Sequence, residues 1–361
     1  MQLALALGRR GQGRTWPNPA VGAVVVKDGV VLGRGWTQIG GRPHAEPGAL
    51  QRAGEAAKGA TLYVTLEPCS HHGKSPPCAD AIIAAGIARV VSAIEDPDAR
   101  VAGQGHARLR EAGIQVEVGL CRDEAARAHA GHFLRVREQR PYVTLKLAVS
   151  VDGRIAAAGR KPVQITGGAA NARVHLLRAQ NDAILIGIGT AMADDPLLTC
   201  RLPGMEARSP VRVVLDRALR LPGNSRLIHS ARATPLWLIA SETAEVAAAT
   251  KLSAAGAHVF HLAVDDHTPG LDLRAVLHTL SAQGITRLLV EGGAKVASSF
   301  LKAGLADEFW LFQGAKDIGG DGLPALEGQK LETVVASGWR TDETEMFGDD
   351  RLTVYRRAGS V

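Results

Sequence analysis

The sequence predicts an α/β fold with two domains. Short apolar runs rich in valine, leucine and isoleucine alternate along the chain with alanine-rich segments of helical period, a pattern typical of sheets covered by helices. A charged helical segment ends at Arg140-Pro141, and a new apolar run follows it. The 361 residues are 46% hydrophobic, which is enough for two separate cores. We therefore predict one domain at residues 1–140 and a second at residues 141–361.

The first domain is predicted to begin with a helix and a β-hairpin. Residues 1–7 are apolar, but the run is short and lacks the cleavage pattern of a signal peptide, so we interpret it as a helix. Two β-rich runs, 21–26 and 30–36, flank the turn sequence Lys27-Asp28-Gly29. A helical pattern starts after Glu46, and further strands are predicted at 62–65, 89–94 and 115–118, with helices at 79–85, 106–112 and 123–137.

The second domain repeats the alternation of strands and helices. Strands are predicted at 142–149, 183–188, 211–215, 236–240, 258–262 and 287–290, and helices at 169–179, 273–282 and 295–303. The sequence shows no internal repeat and no low-complexity tract. Both halves are therefore expected to be α/β domains of different construction.

One histidine, two cysteines and one carboxylate predict a catalytic zinc site in the first domain. His44, Cys69 and Cys78 supply the three ligands that a zinc ion needs when its fourth position is kept for water. Glu46 is left without a ligand role. Because two thiolates reduce the acidifying effect of the ion, a nearby base becomes necessary, and Glu46 is predicted to be that base in a hydrolytic deamination.

The spacing of this motif departs from the general one. An H-x-E triplet by itself is common, and a structural histidine is the alternative interpretation of His44. The thiols change that balance, since they lie between a strand-like and a helix-like run. The general deaminase signature has two residues between its cysteines, whereas eight stand here, S-H-H-G-K-S-P-P. His71, His72 and Lys74 in this stretch form a cluster suited to a phosphate.

Composition favours small-molecule chemistry in the cytoplasm. The net charge of +6 and pI of 9.3 suit nucleic acid or phosphorylated small molecules equally. Aromatic residues are 4% of the chain and are not interleaved with basic clusters, so we expect no nucleic-acid partner. No run is long and apolar enough to span a membrane, so we do not expect a membrane as a partner. Cys121 and Cys200 are interpreted as reduced thiols, consistent with cytoplasm.

Paired glycines mark a candidate phosphate-binding turn in the second domain. Glu291-Gly292-Gly293 ends an apolar strand and opens a helix, where backbone N–H groups can receive a phosphate. Ordinary tight-turn geometry is the alternative. No G-x-G-x-x-G follows the domain's first strand, which disfavours an ordinary Rossmann site. Residues 187–190, Gly-Ile-Gly-Thr, form a second candidate loop.

Together these motifs resemble the bifunctional deaminase-reductase family of riboflavin biosynthesis. The deaminase half of that family reads H-A-E followed by T-L-E-P-C-S-H-H-G-K/R-x-P-P-C, and residues 65–78 are similar to it. The likeness continues through L-K-L at 145–147, D-G-R at 152–154, A-D-D-P at 193–196 and E-G-G at 291–293. The resemblance extends from Asn18 to about Tyr355.

The resemblance implies a fold, two cofactors and two sets of binding residues. It implies a cytidine-deaminase-like three-layer α/β/α domain with Zn²⁺, followed by a dihydrofolate-reductase-like α/β domain with NADPH. The first would deaminate 2,5-diamino-6-ribosylamino-4(3H)-pyrimidinone 5′-phosphate, and the second would reduce its ribosyl to a ribityl chain. Substrate contacts carry over to Asn18, His71, Lys74 and Asp96 in the deaminase and to Arg178, Leu198, Arg201 and Glu291 in the reductase. Cofactor contacts carry over to Ala148, Gln164, Thr190, Asp194, Arg217, Gly293, Ala294 and Lys295.

Several positions depart from the family pattern. Gln164 stands where the family commonly has tryptophan, Pro162 replaces a small polar residue, and Arg217 stands where serine is common. Arg217 is suited to a cofactor 2′-phosphate. In the deaminase half, Pro47-Gly48 and Asp98 also differ from the usual residues.

Three alternatives remain open at this point, and we expect a homo-oligomer under any of them. A deaminase whose reductase half is an inactive binding module would accommodate Gln164. A nucleic-acid base deaminase would accommodate the positive charge, and it predicts salt-sensitive binding of single strands. A metal-stabilised protein without catalysis is the third.

Overall fold

The computed structural model describes residues 1–71, 73, 76–161, 163–263 and 270–357. The chain forms two compact units, Met1–Arg140 and one that starts at Pro141. None of the helices within the described ranges has the length and apolar character that crossing a bilayer requires.

The first unit contains a five-stranded mixed sheet. Its helices and strands are, in chain order, α1 (Gln2–Arg9), β1 (Gly22–Lys27), β2 (Val30–Trp36), α2 (Ala45–Ala53), β3 (Thr61–Val64), α3 (Cys78–Ala84), β4 (Arg89–Ser92), α4 (Gln104–Glu111), β5 (Gln115–Val118) and α5 (Arg122–Glu138). The strand order is β2-β1-β3-β4-β5. Strands β3, β4 and β5 are parallel, and β1 is antiparallel to both of its neighbours.

Helices cover both faces of this sheet. Helix α1 contacts α5 on one face, while α2, α3 and α4 contact one another in sequence. The alternating side chains of β1 separate the two faces, because Val24 packs with α1 whereas Ala23 and Val25 belong to the core shared with α2 and α3. The unit is therefore a three-layer α/β/α domain, as the sequence predicts.

Glycines in β2 let α2 approach the sheet closely. A Cβ atom at Gly33 or Gly35 would lie 2.1 or 2.0 Å from the carbonyl oxygen of Ala49 or Ala45 on α2, so neither position accepts a side chain. Helix α2 therefore lies directly against the strand, and the residues at its N-terminus have a fixed position.

The second unit contains a nine-stranded sheet and a small two-stranded one. Its elements are β6 (Tyr142–Val149), β7 (Arg154–Ala156), α6 (Gly168–Ala179), β8 (Ala183–Gly187), α7 (Ile188–Asp194), β9 (Val211–Leu215), α8 (Arg226–His229), β10 (Leu236–Ser241), α9 (Val246–Ala254), β11 (His258–Leu262), α10 (Leu273–Ala282), β12 (Arg287–Val290), α11 (Ala294–Lys302), β13 (Glu308–Gln313), β14 (Leu323–Pro324), α12 (Leu331–Ala336), β15 (Trp339–Phe347) and β16 (Asp350–Arg357). The large sheet has the order β11-β10-β9-β8-β12-β6-β13-β16-β15, and β14 pairs with β7.

The large sheet is parallel from β11 to β13, and β16 and β15 extend it in antiparallel fashion. Each strand and helix predicted from the sequence has a counterpart within a few residues. The prediction of a loop at residues 187–190, however, is wrong. Ile188 begins α7, so the strand that precedes it ends one residue earlier than predicted. Five strands and four helices of the second unit were not predicted: β7, β13, β14, β15, β16, α7, α8, α9 and α12.

Candidate active sites

Three separate segments carry the predicted zinc ligands to one place. His44 is the residue before α2, Cys69 lies in the loop after β3, and Cys78 is the first residue of α3. Two of the three therefore lie at helix N-termini.

The spacing of the ligand atoms fits a zinc ion. His44 Nδ1 lies 3.3 Å from Cys78 Sγ and 3.6 Å from Cys69 Sγ, and the three ligand atoms all lie within 4.8 Å of one another. Tetrahedral zinc with nitrogen at about 2.0 Å and sulfur at about 2.3 Å separates those two ligand types by about 3.5 Å. Both cysteines are free thiols, so no disulfide competes for the sulfur atoms.

Hydrogen bonds prepare one thiol for deprotonation. The hydrogen bond from the Cys78 thiol lowers the pKa of Cys69 to about 4 against the effect of its own burial, and the Cys78 backbone N–H adds a bond of 3.2 Å to Cys69 Sγ. The same contact raises the pKa of Cys78, because one proton is shared between the two sulfur atoms. A metal ion would replace that proton.

Glu46 lies beside this cluster without belonging to it. It stands in the first turn of α2 and is 3% exposed. Burial raises the pKa of Glu46, and the charge of His44 opposes that rise. A buried carboxylate with a raised pKa takes up and releases a proton near neutral pH more readily than an exposed one.

The remaining predicted deaminase residues are joined to the ligand-bearing segments. Asn18 Nδ2 donates a hydrogen bond of 3.0 Å to the carbonyl oxygen of Gly41, which is close in sequence to His44. His71 follows Cys69 in the same loop, and its buried Nδ1 atom has no hydrogen-bond partner among the described residues. The backbone N–H of Asp96 donates to Glu67 Oε2 at 3.2 Å. Lys74 lies outside the described residues.

A second group of possible ligand atoms has a structural explanation. Glu67, Glu95 and His106 also place their ligand atoms within 4.8 Å. The buried Glu67 carboxylate, however, accepts hydrogen bonds from the backbone N–H groups of Asp96, Gly103 and His106. These hydrogen bonds connect the loop after β3, which contains Glu67 and Cys69, to the loop after β4 and the start of α4. We therefore assign no ion to this group.

In the second unit, the predicted cofactor residues line one cavity of about 980 Å³. That volume lies at the upper end of the range for small-molecule and cofactor sites. The residues from the cofactor prediction that line it are Ala148, Gln164, Thr190, Asp194, Arg217, Gly293, Ala294 and Lys295. Residues from five separated stretches of sequence therefore meet where the resemblance places a cofactor.

The charges in this cavity fit a phosphate-bearing dinucleotide. The N-terminus of α11, a helix of nine residues, opens onto the cavity at Ala294 and Lys295, where free backbone N–H groups suit a phosphate. Arg217 and Arg220 line the cavity as well, and neither forms an ion pair with a described residue. Gln164 lines it with a polar side chain whose Nε2 lies 3.4 Å from the Thr166 carbonyl oxygen. Pro162 lies outside the described residues.

Arg178 and Glu291 form a buried bidentate ion pair. Arg178 Nε and Nη2 lie 2.7 and 2.9 Å from the two carboxylate oxygens, and Arg178 Nη1 donates to the Thr199 carbonyl oxygen at 3.1 Å. Burial alone would raise the pKa of Glu291, but the charges of Arg178 and Lys146 lower it to about 2. The carboxylate is therefore ionised, and it also lines the cavity.

The other two predicted substrate residues are placed differently. Leu198 is 3% exposed with φ of 56°, so its side chain belongs to the core and only its main chain remains available to a ligand. The Arg201 side chain is exposed, and its backbone N–H lies 3.3 Å from His175 Nδ1. Neither residue lines the cavity wall that holds Glu291.

Lys146 lines the cavity but was not predicted as a site residue from the sequence. It lies on β6, lines the cavity and is close enough to Glu291 for their charges to interact. Burial lowers the pKa of Lys146, and Glu291 opposes that effect. The available signal was a lysine inside the otherwise apolar strand Tyr142–Val149, since an unpaired charge is rarely placed there without a function.

Two family models match the chain, one for each unit. The family model described as "Cytidine and deoxycytidylate deaminase zinc-binding region" matches residues 1–94, and the model described as "RibD C-terminal domain" matches residues 141–352. Among curated relatives, the riboflavin biosynthesis protein RibD of Aquifex aeolicus is 40% identical over 99% of this chain and 97% of its own. That of Escherichia coli strain K12 is 42% identical over 91% of each chain.

Solved structures match the whole chain as well. RibD of Acinetobacter baumannii has 35% identity and a TM-score of 0.88 over 99% of this chain and 97% of its own. A diaminohydroxyphosphoribosylaminopyrimidine deaminase/5-amino-6-(5-phosphoribosylamino)uracil reductase from Thermotoga maritima has 36% identity and a TM-score of 0.86 over the same shares. These matches confirm the predicted fold class, the zinc and NADPH cofactors and the two activities. The chain belongs to the RibD family, whose members are bifunctional deaminase and reductase enzymes of riboflavin biosynthesis.

Proposed function

We propose that His44, Cys69 and Cys78 hold the zinc ion and that Glu46 carries the proton in deamination. The observation that supports this most is the meeting of three ligand atoms from separate segments beside a buried carboxylate that is not one of them. Bound zinc supplies Lewis acidity, which makes a water molecule nucleophilic at neutral pH.

Glu46 has two tasks in this proposal. It accepts a proton from the attacking water as the C–O bond forms and delivers that proton to the pyrimidine ring nitrogen. It then transfers the proton of the new hydroxyl to the exocyclic amino group, the C–N bond breaks and ammonia leaves. Asn18 and Asp96 hydrogen-bond the pyrimidine edge, while His71 and Lys74 receive the phosphate. The family acts on a small phosphorylated pyrimidine, and we propose the diaminopyrimidinone ribosyl phosphate as the substrate of this unit.

Substitution of Glu46 by glutamine tests the proton-carrying role. E46Q keeps the side-chain shape and removes the titrating oxygen, so ammonia release falls by about a thousandfold or more while one zinc per chain is retained. Glu55 is an exposed glutamate in the same unit, and E55Q is the matched control with unchanged turnover. Turnover by E46Q at more than a tenth of the wild-type rate would exclude this role.

In the reductase, we propose that the cavity residues position NADPH against an open ribosyl chain. NADPH supplies a hydride for the sugar carbon. Ala148, Thr190, Asp194 and the start of α11 hold the cofactor, and the cationic pair Arg217 and Arg220 receives its 2′-phosphate.

Glu291 and Lys146 line the same cavity, and we propose that they face the sugar. Glu291 accepts hydrogen bonds from sugar hydroxyls, and Arg178 holds its carboxylate in place. Arg201 and the main chain of Leu198 contact the substrate phosphate end. E291Q is expected to lose NADPH oxidation with the deaminated substrate, whereas ammonia release by the same sample stays at the wild-type rate. Equal loss of both activities would indicate unfolding rather than this role.

The compartment, the oligomeric state and the absence of a nucleic-acid partner are also proposals. We propose a cytoplasmic location, with which the free cysteines are compatible because that compartment is reducing. We propose a homo-oligomer, which light scattering on the purified protein tests. We propose that nucleic acid is not a partner, and salt-sensitive binding of single-stranded RNA would contradict that.

A further inference from the structure

Asp96 stands at the sheet edge that also carries a zinc ligand. It follows β4, and Cys69 follows β3, and these adjacent strands are parallel with Val64 opposite Ser92. Their carboxyl ends therefore lie at one edge of the sheet. The hydrogen bond from the Asp96 backbone to Glu67 joins the two loops directly.

One oxygen of Asp96 is held by two donors. Asp96 Oδ1 accepts hydrogen bonds from the backbone N–H of Asp98 at 2.9 Å and from His132 Nε2 at 3.0 Å. The side chains of Asp96 and His132 are 9% and 10% exposed. Asp96 Oδ2 has no hydrogen-bond partner among the described residues and is not a fully buried atom. The carboxylate is thus fixed through Oδ1, and Oδ2 remains available to a ligand.

His132 reaches Asp96 from a separate layer of the unit. It lies on α5, one turn after His129, whose Nε2 lies 3.1 Å from both the carbonyl oxygen and the hydroxyl of Thr65 at the end of β3. Residues three apart share one face of a helix. Helix α5 therefore contacts the segments that follow both strands. Because Oδ1 is an acceptor for two donors, the His132 proton is assigned to Nε2 from this network.

We infer that His132 is a positioning residue for deamination, which orients the Asp96 carboxylate so that Oδ2 faces the pyrimidine edge of the substrate. This inference rests on the proposed contact between Asp96 and the substrate. His132 itself touches neither substrate nor metal in this assignment. Its loss lets the carboxylate rotate, so the substrate binds less well while the zinc site and proton carrier stay intact.

Ammonia-release kinetics of full-length variants test the inference. H132L removes the donor, and KM for the diaminopyrimidine phosphate is expected to rise by about tenfold or more, with a smaller change in kcat. H132Q can place an amide N–H near the former Nε2 position and is expected to recover most of the loss. Zinc content and NADPH oxidation with the deaminated substrate, measured on the same samples, are expected to stay at wild-type values.

A double-mutant cycle separates positioning from general support of the fold. D96N/H132L is expected to be no worse than D96N, because both variants remove one shared interaction. H129L is the matched control on the same helix, and its effect should multiply with that of D96N. If H132L fails to fold, H132N serves instead, because its polar side chain disturbs the packing less and is too short for its amide N–H to reach Asp96 Oδ1. The same rise in KM is expected.

The outcomes distinguish this inference from the proposal on which it rests. Wild-type KM in D96N would overturn both the substrate contact of Asp96 and the role of His132. A defect in D96N with wild-type KM in H132L or H132N would overturn the role of His132 alone. Independent effects of D96N and H132L would also overturn it, as would equal KM values for H132Q and H132L.

Discussion

Removal of the Arg178 side chain should destabilise the second unit because Glu291 would lose its main counter-charge. The two side chains are each 12% exposed, and both Glu291 oxygens accept a bond from the guanidinium. A pKa of about 2 in place of 4.5 corresponds to about 3 kcal/mol of stabilisation of the carboxylate form. Breaking one side of a buried pair costs a similar amount, about 3–5 kcal/mol. We therefore expect R178M to lose about 3 kcal/mol of unfolding free energy at pH 7.

The pH dependence of that loss has a defined sign. In the wild type, the folded-state pKa of Glu291 is depressed, so its contribution is fully present above about pH 4.5 and is lost as the pH falls towards 2. Without Arg178, the buried carboxylate prefers to be protonated. The deficit of R178M should therefore be largest at neutral pH and should shrink as the pH approaches 4.5.

Urea unfolding at pH 7 and pH 5 measures this effect, with the denaturation midpoint and slope fitted for each variant. Arg89 and Glu117 provide a matched control, since they also form a bidentate pair but are 37% and 48% exposed. R89M should lose much less stability than R178M, because solvent screens an exposed pair. R178M/E291Q should recover much of the stability, because no buried charge is left unpaired. A loss in R178M no larger than that in R89M would refute the reasoning.

Three further predictions concern individual sites. C78A should lose zinc and ammonia release, whereas C121A and C200A, at thiols outside the cluster, should keep one zinc per chain in elemental analysis; retained zinc in C78A would contradict the ligand assignment. R217A should weaken NADPH binding by about tenfold in titration calorimetry and leave NADH affinity unchanged, because a charged hydrogen bond to the 2′-phosphate is lost; equal weakening of both cofactors would place Arg217 elsewhere. K146M should abolish NADPH oxidation by the deaminated substrate and leave ammonia release intact, and full reductase turnover would remove Lys146 from the site.

The fold was largely predictable because most strands are buried and apolar. The runs that became β8, β9 and β10 are short and mostly apolar, so their composition and length identified them. Strand β15 was missed because Trp339–Phe347 is mostly polar and exposed, as is common at the edge of a sheet. The start of α7 was taken as a loop because two glycines there suggested a turn.

The sites were predictable where local motifs carry the chemistry. The candidate zinc ligands His44, Cys69 and Cys78 were predicted from residue type and spacing, and the structure brings their ligand atoms within 4.8 Å of one another. The pairing of Arg178 with Glu291 was not predictable, because the two residues are 113 positions apart and meet only in the folded second unit. Lys146 and His132 were missed for the same reason. Each of the two interacts with a residue on another segment of the chain, Lys146 with Glu291 and His132 with Asp96.

The most direct test of the central claim is zinc K-edge X-ray absorption on the zinc-loaded protein. We predict one nitrogen at about 2.0 Å, two sulfur atoms at about 2.3 Å and one further light ligand, with one sulfur lost in C78A. A shell of nitrogen and oxygen alone, or a spectrum unchanged by C78A, would contradict it.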